Sequence, residues 1–193
     1  MVNLLPVKIV VDSSSDLPKQ LASRLGIITV PMPVYINDMT FYEGLDIFPD
    51  TFYANFKTYK VLPKTSQPNP NDLQKIYEKI LADGYDVIAI HLSSGLSSTY
   101  QTALMVREAC SYPERVHIID SLGASLGFGL LAISAHEIIQ RFENTVKIVE
   151  EIIKVRDRMR YIFTIDTLEY LVKGGRVSKT AGFVAGLLDV KPI

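Results

Sequence analysis

The chain has 193 residues, a formal net charge of −1 from 20 Lys and Arg against 21 Asp and Glu, and 48% hydrophobic residues. That apolar content builds a core without disulfides, and the dispersed charge lacks the basic face of a nucleic-acid binder. A single cysteine, Cys110, excludes an internal disulfide and fits a reducing compartment.

The opening Met1-Val2-Asn3-Leu4-Leu5-Pro6 runs into a strand without the charged start and apolar core of a signal peptide. No apolar stretch reaches the roughly 18 residues of a membrane span, so a soluble cytoplasmic protein is expected. Residues 7–11 read as a buried strand, and 18–25 as a helix with Pro18 near its start. Residues 27–30 form the next strand, which 34–36 extend beyond Pro31 and Pro33. A loop with Gly44 and Pro49 leads to a short helix at 51–58, and 65–71 read as a rigid loop. Leu73, Ile76, Tyr77, Ile80 and Leu81 then follow helical spacing. A strand at 87–92, a helix at 99–110, a strand at 116–119 and a Gly-punctuated helix to Gln140 come next. A helix at 145–159 on Val146, Val149, Ile152 and Ile153, a strand at 161–165 and a helix at 167–173 complete the pattern. Strands alternating with helices predict an α/β fold, a parallel sheet with helices on both faces.

Four of these strands end in small hydroxyl residues: Val11-Asp12-Ser13, Leu92-Ser93-Ser94, Ile119-Asp120-Ser121 and Ile165-Asp166-Thr167. In an open parallel sheet the carboxyl ends of the strands line the ligand crevice. Each residue also reads as an ordinary helix N-cap. The turn Ser93-Ser94-Gly95-Leu96-Ser97-Ser98 exceeds that role, with four serines where one cap suffices and a glycine that admits close backbone approach. Strand, Ser/Gly turn and helix in that order make an anion site. The loop Lys64-Thr65-Ser66-Gln67-Pro68 is a second hydroxyl-rich turn. Neither carries a general base close by in sequence, and no His–Asp pair stands at a useful position, so the turns point to binding rather than catalysis.

No dinucleotide fingerprint, P-loop, nucleophile elbow or zinc-protease motif occurs. Gly123, Gly127 and Gly129 fit close helix packing. His91, His117 and His136 lack metal spacing, so no metal is expected; Asp12 and Asp16 suit cap and turn roles better than Mg²⁺. Cys110 reads as a packing residue on a helix face. In Lys173-Gly174-Gly175-Arg176-Val177-Ser178, Gly174 would end a helix in a left-handed conformation and Ser178 cap the next; alternatively, Arg176 points back toward the anion site.

Together these segments resemble the DegV family of bacterial fatty-acid-binding proteins. The resemblance is carried by Val10-Val11-Asp12-Ser13-Ser14-Ser15-Asp16-Leu17, Val30-Pro31-Met32-Pro33-Val34, Thr65-Ser66-Gln67-Pro68, residues 93–101, Asp120-Ser121 and residues 168–178, in order along nearly the whole chain. It implies a two-domain fold, with residues 1–120 an N-terminal α/β domain carrying the Thr65 and Ser97 turns. Residues 121–193 would begin a second α/β domain that is incomplete at its C-terminus, since family members continue past the position of Ile193. It further implies a long-chain fatty acid such as palmitate held between the domains, and no cofactor. Thr65 and Ser97 would hold its carboxylate, Arg176 would belong to the surrounding polar network, and Ser66, Ser94 and Ser98 would complete the ligand-binding set. Ser98 stands where many members carry Gly, and Asn69 where Ser is usual.

The function the resemblance implies is a carrier, not an enzyme, which presents the bound fatty acid to a fatty acid kinase for phosphorylation in phospholipid synthesis. Apolar residues near the crevice, such as Leu122, Leu126, Phe128 and Phe163, are candidates for the acyl slot. An acyl or phosphoryl transferase using Ser97 or Ser94 as nucleophile is the alternative. A small-anion sensor with no apolar ligand is the third reading.

Overall fold

The computed structural model describes residues 6–165 and 167–176. The chain divides into two compact units, Met1–Met159 and Arg160–Ile193.

The first unit is built on a parallel sheet of β1 (Val7–Asp12), β2 (Ile28–Val30), β6 (Asp86–His91) and β7 (Val116–Asp120) in the spatial order β2-β1-β6-β7. Because side chains alternate across a strand, the β-branched runs feed two cores. Ile9, Val11, Ile88, Ile90 and Ile119 pack under α5 (Ser125–Ile139) and α6 (Thr145–Arg158). Val10, Val87, Ala89 and Val116 pack under α3 (Pro70–Ala82) and α4 (Thr99–Glu108). This is the α/β sandwich the alternating pattern predicts. A short α1 (Lys19–Arg24) joins β1 to β2.

Between β2 and α3 the chain departs from expectation. β3 (Pro33–Ile36) does not prolong β2 but pairs antiparallel with β4 (Met39–Tyr42) and with β5 (Lys64–Thr65), forming a separate three-stranded sheet. Pro31 and Pro33 lack the N–H a central strand needs, and the chain turns there. α2 (Pro49–Asn55) follows the hairpin and ends in a 3₁₀ turn, Phe56–Thr58.

The helices follow their predicted apolar faces with adjustments. In α3, Leu73, Tyr77, Ile80 and Leu81 are buried, Pro70 occupies the first turn, and Asn69 caps the helix by accepting the Asn71 N–H at 2.9 Å. In α6 the face turns by about one position: Ile148 and Ile152 are buried, whereas Val146 is exposed. α5 is apolar all round. Phe128, Leu131, Ala132 and Ala135 fill the core, whereas Leu122 just before the helix, Leu126 and Leu130 face outward.

Gly129 confirms the close-packing expectation. A Cβ there would stand 2.5 Å from the Ser15 carbonyl oxygen, in the 3₁₀ turn Ser13–Ser15 that follows β1. Gly129→Ala is expected to cost about 1–3 kcal/mol by forcing this contact apart, read as a shift of the urea midpoint without a change of slope. Cys110 is buried with its thiol donating to the Val106 carbonyl at 3.3 Å, and burial, aided by the Glu78 charge, pushes its pKa up to about 11.

The second unit contains α7 (Glu169–Lys173). Residues 161–165, expected as a strand, are not in one. The first compact unit runs to Met159, with α5 and α6 closing one face of its sheet. No helix among the described residues is long and apolar enough to cross a membrane.

Candidate functional site

From β1 the chain moves outward to β2, then crosses back to β6 on the other side of β1. The carboxyl ends of β1 and β6 therefore border a topological switch point, where open α/β sheets bind ligands. Two segments of the sequence meet there, Asp12-Ser13-Ser14 and His91-Leu92-Ser93.

Asp12, His91 and Tyr77 form a buried line beneath this crevice, each fully shielded from solvent. Asp12 Oδ2 lies 3.0 Å from His91 Nδ1 and accepts the Leu92 N–H at 3.0 Å. Its Oδ1 accepts the Ser14 N–H at 3.2 Å and the Ser14 hydroxyl. His91 Nε2 lies 2.8 Å from the Tyr77 hydroxyl. Burial pushes the Asp12 carboxyl upward, but its hydrogen-bond and electrostatic interaction with His91, followed by the hydrogen bonds from Ser14 and Leu92, outweighs it and holds the pKa below the ordinary 3.8. Burial raises the Tyr77 phenol well above its usual value.

A His–Asp pair therefore exists, contrary to the expectation from sequence. Its members lie 79 residues apart and meet only because β1 and β6 are neighbours. The pair does not activate a serine: Asp12 and Tyr77 occupy both ring nitrogens, leaving none for Ser94 or Ser97. Donors likewise fill the Asp12 oxygens, which argues against a cation there, and no metal-binding cluster occurs among the described residues.

The serine turn leaves β6 just above this line. Its amides are mostly spoken for: Ser93 N–H donates to the Gly123 carbonyl at 3.0 Å, Ser94 N–H to Asp120 Oδ1 at 3.2 Å, and Leu96 and Ser97 N–H to the Ser93 carbonyl at 2.9 and 3.1 Å. The Ser97 hydroxyl accepts the Thr99 N–H at 3.3 Å and shares a hydrogen bond with the Thr99 hydroxyl at 2.8 Å. Ser98 occupies the N-cap of α4, yet its hydroxyl does not cap. It donates instead to Gln67 Oε1 at 3.1 Å. The amides of Ser98, Tyr100 and Gln101 take no partner among the described residues and open toward the crevice end of α4.

The Gln67–Ser98 bond brings the two hydroxyl-rich turns together. Thr65 lies on β5, in register with Val34, and its exposed hydroxyl has no partner among the described residues. Ser66 Oγ is 3.1 Å from the Tyr35 hydroxyl and donates to the Gln67 carbonyl at 3.1 Å. Ser94 is half-buried, and its hydroxyl is likewise unpartnered among the described residues. The Gln67–Ser98 bond thus links the loop bearing Thr65 and Ser66 to the turn bearing Ser94, Ser97 and Ser98. Gln67 and Asp120 stand in motifs the sequence marks but, like Tyr35, carry no orienting role that it foretells.

Nearby, a cleft of about 760 Å³ in the first unit is lined by Leu17, Ile27, Pro31, Leu45, Phe48 and Leu126, among others, with Ser13 and Glu43 on its wall. Ser13 donates to Glu43 at 2.6 Å. Of the predicted slot residues, Leu126 lines this cleft and Leu122 is exposed. Phe128 is not available to a slot, because it is fully buried in the core under α5. Phe163 belongs to the second unit, where it is 45% exposed.

The DegV family model, described as an uncharacterised protein family, matches residues 6–193. The chain belongs to the DegV family. A DegV domain-containing protein of Caldanaerobacter subterraneus is 35% identical over 187 residues, 97% of this chain, which spans 66% of that relative. A fatty-acid-binding DegV family protein from Thermus thermophilus superposes with a TM-score of 0.86 at 32% identity over 97% of this chain and 66% of its own. DegV from Bacillus subtilis, described as a fatty acid binding protein, gives 0.86 and 32% over 97% and 67%.

Ser98 and Asn69, which the resemblance marks as departures, both have structural roles. The hydroxyl that Ser98 adds makes the link to Gln67, and Asn69 caps α3. Arg176 lies on the second compact unit. Within that unit it follows a Schellman ending of α7: Arg176 N–H donates to the Leu171 carbonyl at 2.9 Å and Gly175 N–H to Val172 at 3.1 Å. The left-handed residue is Gly175 at φ +76°, not Gly174 at −77°: α7 ends at Lys173 as expected, and Gly174 keeps a helical conformation as its C-cap. Ser178 lies outside the described residues.

Proposed function

We propose that this DegV protein binds a long-chain fatty acid such as palmitate, holding its carboxylate on the Thr65 and Ser97 hydroxyls, and presents it to a fatty acid kinase. The observation that carries the reading is the Gln67–Ser98 bond, which joins the loop of the unpartnered Thr65 hydroxyl to the turn that opens α4. A carboxylate leaves water only where hydrogen-bond donors replace it. The hydroxyls of Thr65, Ser97 and Ser94 with the unpaired α4 amides are such donors. Ser66 and Ser98 orient the set through Tyr35 and Gln67. Each methylene buried in an apolar slot adds about 0.8 kcal/mol, so the tail supplies most of the affinity and the hydroxyls set its direction. The fatty-acid ligand has the support of the descriptions of the Thermus and Bacillus structures. The kinase, the cytoplasmic setting, the two-domain division near residue 120 and the Arg176 contact rest on the family resemblance.

Native mass spectrometry of the purified protein, followed by lipid extraction, is expected to find a stoichiometric fatty acid. Thr65→Val with Ser97→Ala should weaken palmitate binding by about a hundredfold, since each lost hydrogen bond to a charged group costs about 1.5 kcal/mol or more. A wild-type protein that neither carries nor titrates a fatty acid overturns the reading. A burst of ester acylation abolished by Ser97→Ala would support the transferase instead, although the occupied nitrogens of His91 argue against it.

A further inference from the structure

We propose that Asp12, His91 and Tyr77 are positioning residues that fix where the serine turn leaves β6, a role that rests on the carboxylate-binding reading above. Three successive amides at that exit are clamped from two sides. Leu92 N–H donates to Asp12 at the end of β1, Ser94 N–H to Asp120 at the end of β7, and Ser93 N–H to Gly123 in the segment that follows β7. The turn bearing Ser94 and Ser97 is thereby aimed by the strands on both sides of β6. Asp12 meets this demand as a carboxylate with all its donors in place, and His91 supplies the innermost of them.

The hydrogen-bond order admits one protonation pattern. The buried Tyr77 O–H has His91 Nε2 as its one partner among the described residues, so it donates there. Nε2 is then the acceptor, and the single ring proton sits on Nδ1 facing Asp12. A ring proton on Nε2 would orphan the phenol and turn a nitrogen lone pair toward the carboxylate. The phenol thus selects the tautomer, the tautomer supplies the carboxylate, and the carboxylate holds the Leu92 amide. An apolar trio of similar volume would pack this core without the desolvation cost; what it would lose is the aim of the turn.

The test uses the whole chain, ¹⁵N-labelled, with Tyr77→Phe and Asp12→Asn variants and palmitate as probe. Ring ¹⁵N shifts at neutral pH are expected to place a single proton on Nδ1 in the wild type and to show a tautomer mixture in Tyr77→Phe. Amide exchange at residues 92–94 should accelerate by about tenfold or more in Asp12→Asn, with the amides of Val10 and Ile88 unchanged. Palmitate affinity should fall by a similar factor in that variant and by less in Tyr77→Phe. A wild-type proton on Nε2, a charged ring, or acceleration spread evenly over the core overturns the proposal, as does unchanged binding in folded variants. If Asp12→Asn does not fold, Tyr77→Phe decides the matter by the same readouts. Should the wild type bind no palmitate, the carrier reading fails, while ring and exchange signals still judge the positioning.

Discussion

Phe128→Ala is expected to lower the unfolding free energy by about 3–5 kcal/mol, the range for emptying a buried aromatic site. Phe128 is fully buried on α5 against the sheet, among Val11, Ile90 and Leu131 in one core cluster. The neighbouring Gly129 contact with the Ser15 carbonyl holds the helix at close range, so the wall cannot slide inward to fill the void. Urea unfolding would show a lower midpoint with an unchanged slope. A loss below about 1 kcal/mol would mean that α5 collapses onto the sheet despite that contact.

Asp86→Ala is expected to cost about 3 kcal/mol, because it strands two buried partners rather than one. Asp86 Oδ1 accepts the Arg115 Nε–H at 2.9 Å, and Oδ2 accepts the Thr145 hydroxyl at 2.7 Å. Arg115 retains its bond to the Tyr85 carbonyl at 2.9 Å but loses its counter-charge, with only 19% of its side chain exposed. The carboxylate thereby ties α6, β6 and the segment entering β7 at the end of the sheet away from the serine turn. Asp86→Asn keeps one accepting oxygen and should cost less. In both variants palmitate affinity should match the wild type under conditions where the protein is folded. A changed affinity would show that the two ends of the sheet are coupled.

Much of this fold was legible because each strand carries its own β-branched run and each helix its own apolar face. Leu73, Tyr77, Ile80 and Leu81 announced α3, and the runs before Asp12, His91 and Asp120 announced the sheet. The small sheet was hidden for a local reason. β3 and β4 are joined at Asn37, which takes φ +53°, so an Asn-Asp turn stood between two short runs and went unread beside the prolines. The hydroxyl turns were legible as excess serine, whereas their mutual approach was not. Gln67 and Ser98 lie 31 residues apart, and nothing near either signals the other. The Asp12–His91 contact was hidden for the same reason, since pairing between strands is a property of the sheet and not of any segment. Phe128 shows the converse error: a helix apolar all round does not reveal which side meets the core.

Thr65 rides on the small antiparallel sheet, whereas the serine turn grows from the parallel one. The two jaws of the proposed carboxylate clasp therefore belong to separately hydrogen-bonded bodies, bridged by the Gln67–Ser98 bond. Jaw spacing is then an adjustable quantity, set by how the hairpin of β3 and β4 seats through Val34, Ile36 and Ile47 in its own small core. Selection acting on that hairpin could retune the grip on a headgroup while leaving every gripping residue unchanged.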